Sequence, residues 1–183
     1  MECSEKKSWF AMSATYRREL KVKQILDKLN IENFVPTYLK TCVKNGVKKE
    51  NFVPIIHNLI FVYCEFKELQ EIKNRLSYFQ FMTNYIDGKR RPIIIRDKDM
   101  QNFIGIIQTH NETQEDKIEV LADNQINIKK GTKVKIVGGP LHGREGKLVK
   151  VKGRRNRCFV VSLKGVMNVL IQDISLSMLE IIE

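Results

Sequence analysis

Gly138, Gly139, Gly143 and Gly146, with Lys147 directly after them, are the residues of this chain whose spacing most resembles a phosphate-cradling loop. Such a loop needs a glycine five positions before the Gly-Lys pair, a Ser or Thr after it, and a helix whose N-terminus meets the anion. Here those positions hold Leu141 and Leu148, and the segment runs on into alternating Lys and Val residues of strand type. The loop therefore reads as a bend between two strands. Other chemistry fares no better. Cys3, Cys42, Cys64 and Cys158 are widely separated, and His57, His110 and His142 stand alone, so neither a metal site nor a disulfide framework is expected. No nucleophile motif, nucleotide fingerprint or clustered acid-base set is present, which argues against an enzyme and against a cofactor.

The remaining chemistry is charge. Against 21 acidic residues stand 32 basic ones, a formal net charge of +11, which favours anionic partners. The basic residues fall in groups: Arg17, Arg18, Lys21 and Lys23; Lys44, Lys48 and Lys49; Lys89, Arg90 and Arg91; and Lys150, Lys152, Arg154, Arg155 and Arg157. The last group flanks Gly153, where a hairpin tip of this charge density would bind phosphate without sequence preference.

Elements must hold these groups. Ser8 to Ala14 alternates as a strand, and Thr15 is placed to cap a helix carrying Leu20, Ile25, Leu26 and Leu29 at helical spacing, ended by Asn30. Asn33 to Val43 and Leu59 to Phe66 read as strands, with a turn at Gly46; Glu68 to Ser77 reads as a helix. Phe79 to Ile86 is again strand, followed by the Asp87-Gly88 turn and a helix after Asp99. This β-α-β-β-α-β-α order is that of a ferredoxin-like α+β sandwich with an added helix. From Thr109 to Gln125 the chain turns polar and acidic, the expected linker between a domain at 8–108 and one at 126–183. Beyond it, Thr132 to Val137, Gly146 to Lys152, Arg157 to Leu163 and Val166 to Ile171 alternate as the strands of a small β-barrel.

The segment from Lys133 to Phe159 resembles a KOW motif, shared by NusG-type elongation factors and several ribosomal proteins. Trp9-Phe10-Ala11-Met12, Phe34-Val35-Pro36, Lys49 to Phe66 and Arg91-Pro92 resemble the NusG N-terminal (NGN) domain, so the likeness runs from Ser8 to about Ile182. Where that family commonly has Phe-Pro-Gly-Tyr, this chain has Ile56-His57-Asn58-Leu59, which resembles a specialised antiterminator branch of the RfaH/UpxY kind.

The resemblance implies a transcription elongation and antitermination factor. It implies that Phe10, Phe34, Ile56 and Leu59 meet the clamp helices of RNA polymerase. It also implies that Arg17, Arg18, Lys21, Lys23, Lys89, Arg90 and Arg91 face non-template DNA or nascent RNA, and that Gly139, Gly143 and Gly146 shape the KOW loop. A small-subunit ribosomal protein or a termination factor is the implied partner of the KOW domain. A ribosome-associated RNA-binding protein is the alternative reading of the same motif. The longest apolar run, Leu59 to Cys64, is too short to cross a bilayer, and the polar N-terminus lacks the apolar stretch of a signal peptide, so a cytoplasmic monomer is expected.

Overall fold

Strand β1 (Ser8–Ala14) is built from small and aromatic apolar residues and is buried on both faces. It lies in the middle of an antiparallel sheet, pairing with β5 (Leu59–Cys64) from Ser8↔Cys64 to Ser13↔Leu59. The structure is a computed structural model that describes residues 6–44, 47–113, 118–122, 125–172 and 174–182. The chain divides into two compact units, residues 1–100 and 101–183.

In the first unit β2 (Glu32–Phe34) flanks β5, and the outer edge of β1 is shared by β6 (Phe79–Phe81) and β9 (Ile94–Ile95). One face of the sheet packs against α1 (Glu19–Lys28) and α2 (Phe66–Arg75), whose Val22, Leu26, Leu69 and Ile72 close on Phe10, Met12, Ile60 and Val62. On the opposite face Trp9, Ala11, Leu59 and Phe61 are also buried. Burial on both faces explains why β5 reads as an unbroken apolar run rather than an alternating one.

Two hairpins leave this sheet. One joins β3 (Thr37–Lys44) to β4 (Val47–Pro54). The other, β7 (Thr83–Ile86) with β8 (Lys89–Pro92), is ejected between β6 and β9. At its root the Met82 N–H donates to the Ala11 carbonyl (3.0 Å) and the Ala11 N–H to the Ile93 carbonyl (3.1 Å).

Helix α3 (Asp97–Thr113) crosses the boundary between the units. Within the second unit the Asn102 amide takes both backbone groups of Glu145, donating to its carbonyl at 2.7 Å and accepting from its N–H at 3.0 Å. The rest of this unit is a six-stranded antiparallel sheet of β10 (Ile118–Leu121), β11 (Thr132–Ile136), β12 (Glu145–Lys150), β13 (Arg157–Leu163), β14 (Met167–Ile171) and β15 (Leu179–Ile181). Its strand order is β10-β14-β13-β12-β11-β15. Together the units make the expected α+β architecture, a ferredoxin-like sandwich and a small β-barrel module.

Several expectations change in detail. Thr15 does not cap α1: Tyr16 and Arg17 sit at φ of 61° and 55°, outside the helical region, so the helix begins only at Glu19. The Thr15 hydroxyl instead donates to the Tyr78 carbonyl at 3.3 Å. Asn30 does end the helix, at φ 55°. The strand expected at Asn33–Val43 is broken at Val35-Pro36, where Pro36 has no N–H to continue the ladder. The expected linker carries regular structure at both ends, since α3 runs on to Thr113 and β10 adds to β14. The turn at Gly46 lies outside the described residues.

Candidate nucleic-acid interface

Arg18, the residue before α1, lies between two tyrosine rings, its guanidinium carbon 4.5 Å from the Tyr78 centroid and 5.6 Å from that of Tyr16. Tyr16 is 82% exposed. A cation over an aromatic face is attracted by the ring quadrupole, and both groups together offer a nucleobase a flat surface with positive charge beside it.

The turn that presents these residues is strained, because two consecutive non-glycine residues occupy the left-handed region. The loop before β5 holds it there. Asn58, itself at φ 66°, accepts from the Arg17 N–H through its side chain at 2.7 Å and from the Ala14 N–H through its carbonyl at 2.8 Å. Beside it, His57 Nδ1 is 3.1 Å from Glu19 Oε1, a carboxylate only 2% exposed. Left-handed backbone is tolerated best by Asn among the non-glycine residues, so this loop suits its position.

A second cation-aromatic pair stands on the β7–β8 hairpin. Tyr85 and Arg90 are directly opposite in the ladder, and the Arg90 Nε donates to the Tyr85 hydroxyl at 2.9 Å, with its guanidinium 5.4 Å from the ring. Tyr85 is 70% exposed, and Lys89 and Arg91 are exposed beside it. This hairpin roots at Ala11 and the Tyr16 turn follows Ala14, so along β1 the two roots lie about 10 Å apart at roughly 3.3 Å per residue. Tyr78 directly precedes β6 and the β7–β8 hairpin follows it, so both pairs flank the same outer strand.

Among the residues proposed from sequence, Arg17, Arg18, Lys21, Lys89, Arg90 and Arg91 are exposed. Lys23 is committed elsewhere: its ammonium is 3.1 Å from Asp27. The Asn33 amide, bonded to that carboxylate at 2.8 Å, and then Lys23 hold Asp27 below its usual range. The tyrosines escaped sequence reasoning, because an isolated Tyr at 16, 78 or 85 gives no sign of exposure or of an arginine beside it.

Phe10 and Leu59 are each 3% exposed. Phe10 packs in the core beside Phe66 and Phe81. Phe34 and Ile56 are half-buried and retain accessible surface.

In the second unit Gly139 and Gly143 take positive φ, and a Cβ at Gly146 would come within 2.5 Å of the Phe159 ring. Lys150, Lys152, Arg154, Arg155 and Arg157 are all exposed around Gly153. Two of them are partnered, Arg154 with Glu119 and Lys150 with the Arg155 carbonyl. Among the described residues no three His, Cys, Asp or Glu side chains gather as metal ligands, and no helix is long and apolar enough to cross a membrane.

A family model described as NusG, transcription termination factor nusG, matches residues 7–104. A solved structure, "Domain interaction in Thermotoga maritima NusG", is 17% identical, with 97% of this chain and 98% of that chain covered and a TM-score of 0.47. No curated protein matches the chain.

Proposed function

This chain belongs to the NusG family of transcription factors, and from that premise we propose that it rides on transcribing RNA polymerase and promotes read-through of pauses and terminators. The observation that carries the nucleic-acid half of this reading is the side of the sheet beside β6, where Arg18 lies between the exposed Tyr16 and the half-buried Tyr78 and Arg90 lies against the exposed Tyr85. Stacking on such rings tolerates any base, while Arg17, Lys21, Lys89 and Arg91 engage phosphates. That combination suits a single strand passing along the edge.

The polymerase contact falls to Ile56 and Phe34, whose accessible aliphatic and aromatic surface fits a helix pair laid against it. Leu59 lies on the same sheet face as Phe61, the ladder partner of Phe34, whereas Phe10 belongs to the helix-covered face. A factor that binds polymerase and strand together favours the closed, elongating state over the opened, paused one, because a partner specific to one conformation shifts the population toward it. The Ile56-His57-Asn58-Leu59 sequence supports placing the chain in a specialised antiterminator branch.

Single-round transcription by the cognate polymerase tests this. Increased terminator read-through that is lost with Ile56→Asp supports the proposal, and unchanged read-through with a protein that co-sediments with ribosomes overturns it in favour of a ribosomal role.

A further inference from the structure

The loop before β5 faces two ways. Ile56, half-buried with accessible aliphatic surface, carries the proposed polymerase contact, and Asn58, two positions on, braces the turn that presents Tyr16 and Arg18. At the start of the loop the Ile55 N–H donates to the Pro36 carbonyl at 2.8 Å, which ties it to the break between β2 and β3.

Three non-glycine residues in the left-handed region meet here: Tyr16, Arg17 and Asn58, at φ of 61°, 55° and 66°. Such residues persist only where their surroundings over-determine them. Ahead of the turn, the Thr15 N–H donates to the Tyr78 carbonyl at 2.9 Å. Behind it, the Arg17 N–H donates to Asn58 Oδ1 at 2.7 Å. A glycine at position 58 could take the same φ but would offer no acceptor. His57 anchors the loop from its other side. Glu19, in the first turn of α1, is 2% exposed; its Oε2 is buried with no hydrogen-bond partner among the described residues, and its Oε1 lies 3.1 Å from His57 Nδ1. A buried carboxylate left without its remaining partner is costly, so His57, and the loop with it, is held against α1.

We propose that this loop couples the two contacts of the proposed function, on which the coupling rests: Asn58 is a positioning residue that keeps the Tyr16–Arg18 turn shaped for a stacked base, and a polymerase helix seated on Ile56 steadies that hold. Without the bond from Arg17 to Asn58, Tyr16 and Arg17 are released to relax out of the left-handed region. A strand then binds only the fraction of molecules in which the turn is formed. By linkage, a strand held on the turn steadies the loop as much as a partner on Ile56 steadies the turn.

The test combines hydrogen exchange read by mass spectrometry with fluorescence anisotropy, on the full chain and a single-stranded thymidine dodecanucleotide. In the wild type the strand should slow amide exchange at residues 16–18 and also at 56–58, which carry none of the proposed strand contacts. Asn58→Gly, which keeps the φ and removes the acceptor, should retain the wild-type circular dichroism yet weaken strand binding roughly tenfold, the size of one hydrogen bond. At saturating strand the same variant should lose the protection at 56–58, and Asn58→Asp, which restores the acceptor, should regain it. Protection at 16–18 with none at 56–58, Asn58→Gly binding the strand as the wild type does, or no recovery with Asn58→Asp overturns the coupling and leaves the proposed function standing. A strand that protects neither the turn nor Tyr85 overturns both.

Discussion

In the first unit Arg18 and Arg90 lie against tyrosine rings, of which Tyr16 and Tyr85 are exposed and Tyr78 is half-buried, whereas in the second the arginines around Gly153 lie beside aliphatic side chains, and no tyrosine follows Tyr85. Net positive charge alone makes the two regions look alike. Their neighbours separate them. A ring beside a guanidinium suits a nucleobase, while a guanidinium among aliphatic side chains offers no such stacking surface. Charge says only that the partner is anionic; the uncharged residues next to it say which kind of anion.

The largest expected effect concerns the separation of core from surface inside the first unit. Leu59 is buried in the central strand, so Leu59→Asp should cost about 4 kcal/mol or more and unfold the unit. Ile56→Asp, at a half-buried position, should leave urea-denaturation stability within about 1 kcal/mol. If both variants fold alike, the division between supporting and contacting residues fails.

Next in size, replacing Tyr16 and Tyr85 together by Ala should weaken binding of a fluorescent single-stranded oligonucleotide by roughly a hundredfold, at 1–3 kcal/mol per stacked base. Arg154→Gln with Arg157→Gln should change it by less than about threefold. Equal losses in fluorescence anisotropy would erase the contrast between the units.

Part of this was legible in the chain itself. Strand β1, the α1 terminus at Asn30 and the strands β11 to β14 announce themselves through alternation, helical spacing and turn residues, because local burial decides them. The β3–β4 and β7–β8 hairpins were less visible. Residues such as Lys48, Lys49 and Lys89 to Arg91 make ladders that cover no core, so no apolar pattern marks them as strands. The candidate site was legible in its arginines and lysines and illegible in its tyrosines. Tyr78 reaches Arg18 only because β6 pairs with β1, a contact across sixty residues that spacing cannot reveal.

A smaller effect lies in the barrel. Gly146→Ala forces a methyl group into the Phe159 ring and should cost about 1–3 kcal/mol, lowering Tm, whereas Gly153→Ala meets open space and costs about 1 kcal/mol for its positive φ alone. Gly146→Ala should spare oligonucleotide binding, because the tyrosine–arginine pairs lie in the first unit.

The smallest is chemical. Burial pushes the Cys64 thiol up to about 12 from an ordinary 9.0, so at pH 8 Cys64 should resist iodoacetamide while exposed Cys42 is alkylated, as read by peptide mass spectrometry. Since the folded value lies above the unfolded one, this contribution to stability is complete below about pH 9 and is lost as pH rises toward 12.

The measurement that reaches the central claim most directly is photocrosslinking of a 5-iodouracil-substituted single-stranded oligonucleotide to the full chain, with the crosslinked residues mapped by mass spectrometry. Crosslinks at Tyr16, Tyr78 and Tyr85, with none between residues 150 and 157, are the predicted result. Crosslinks concentrated at 150–157 and absent from the tyrosines would contradict the account, because the charge of the second unit would then be the nucleic-acid site.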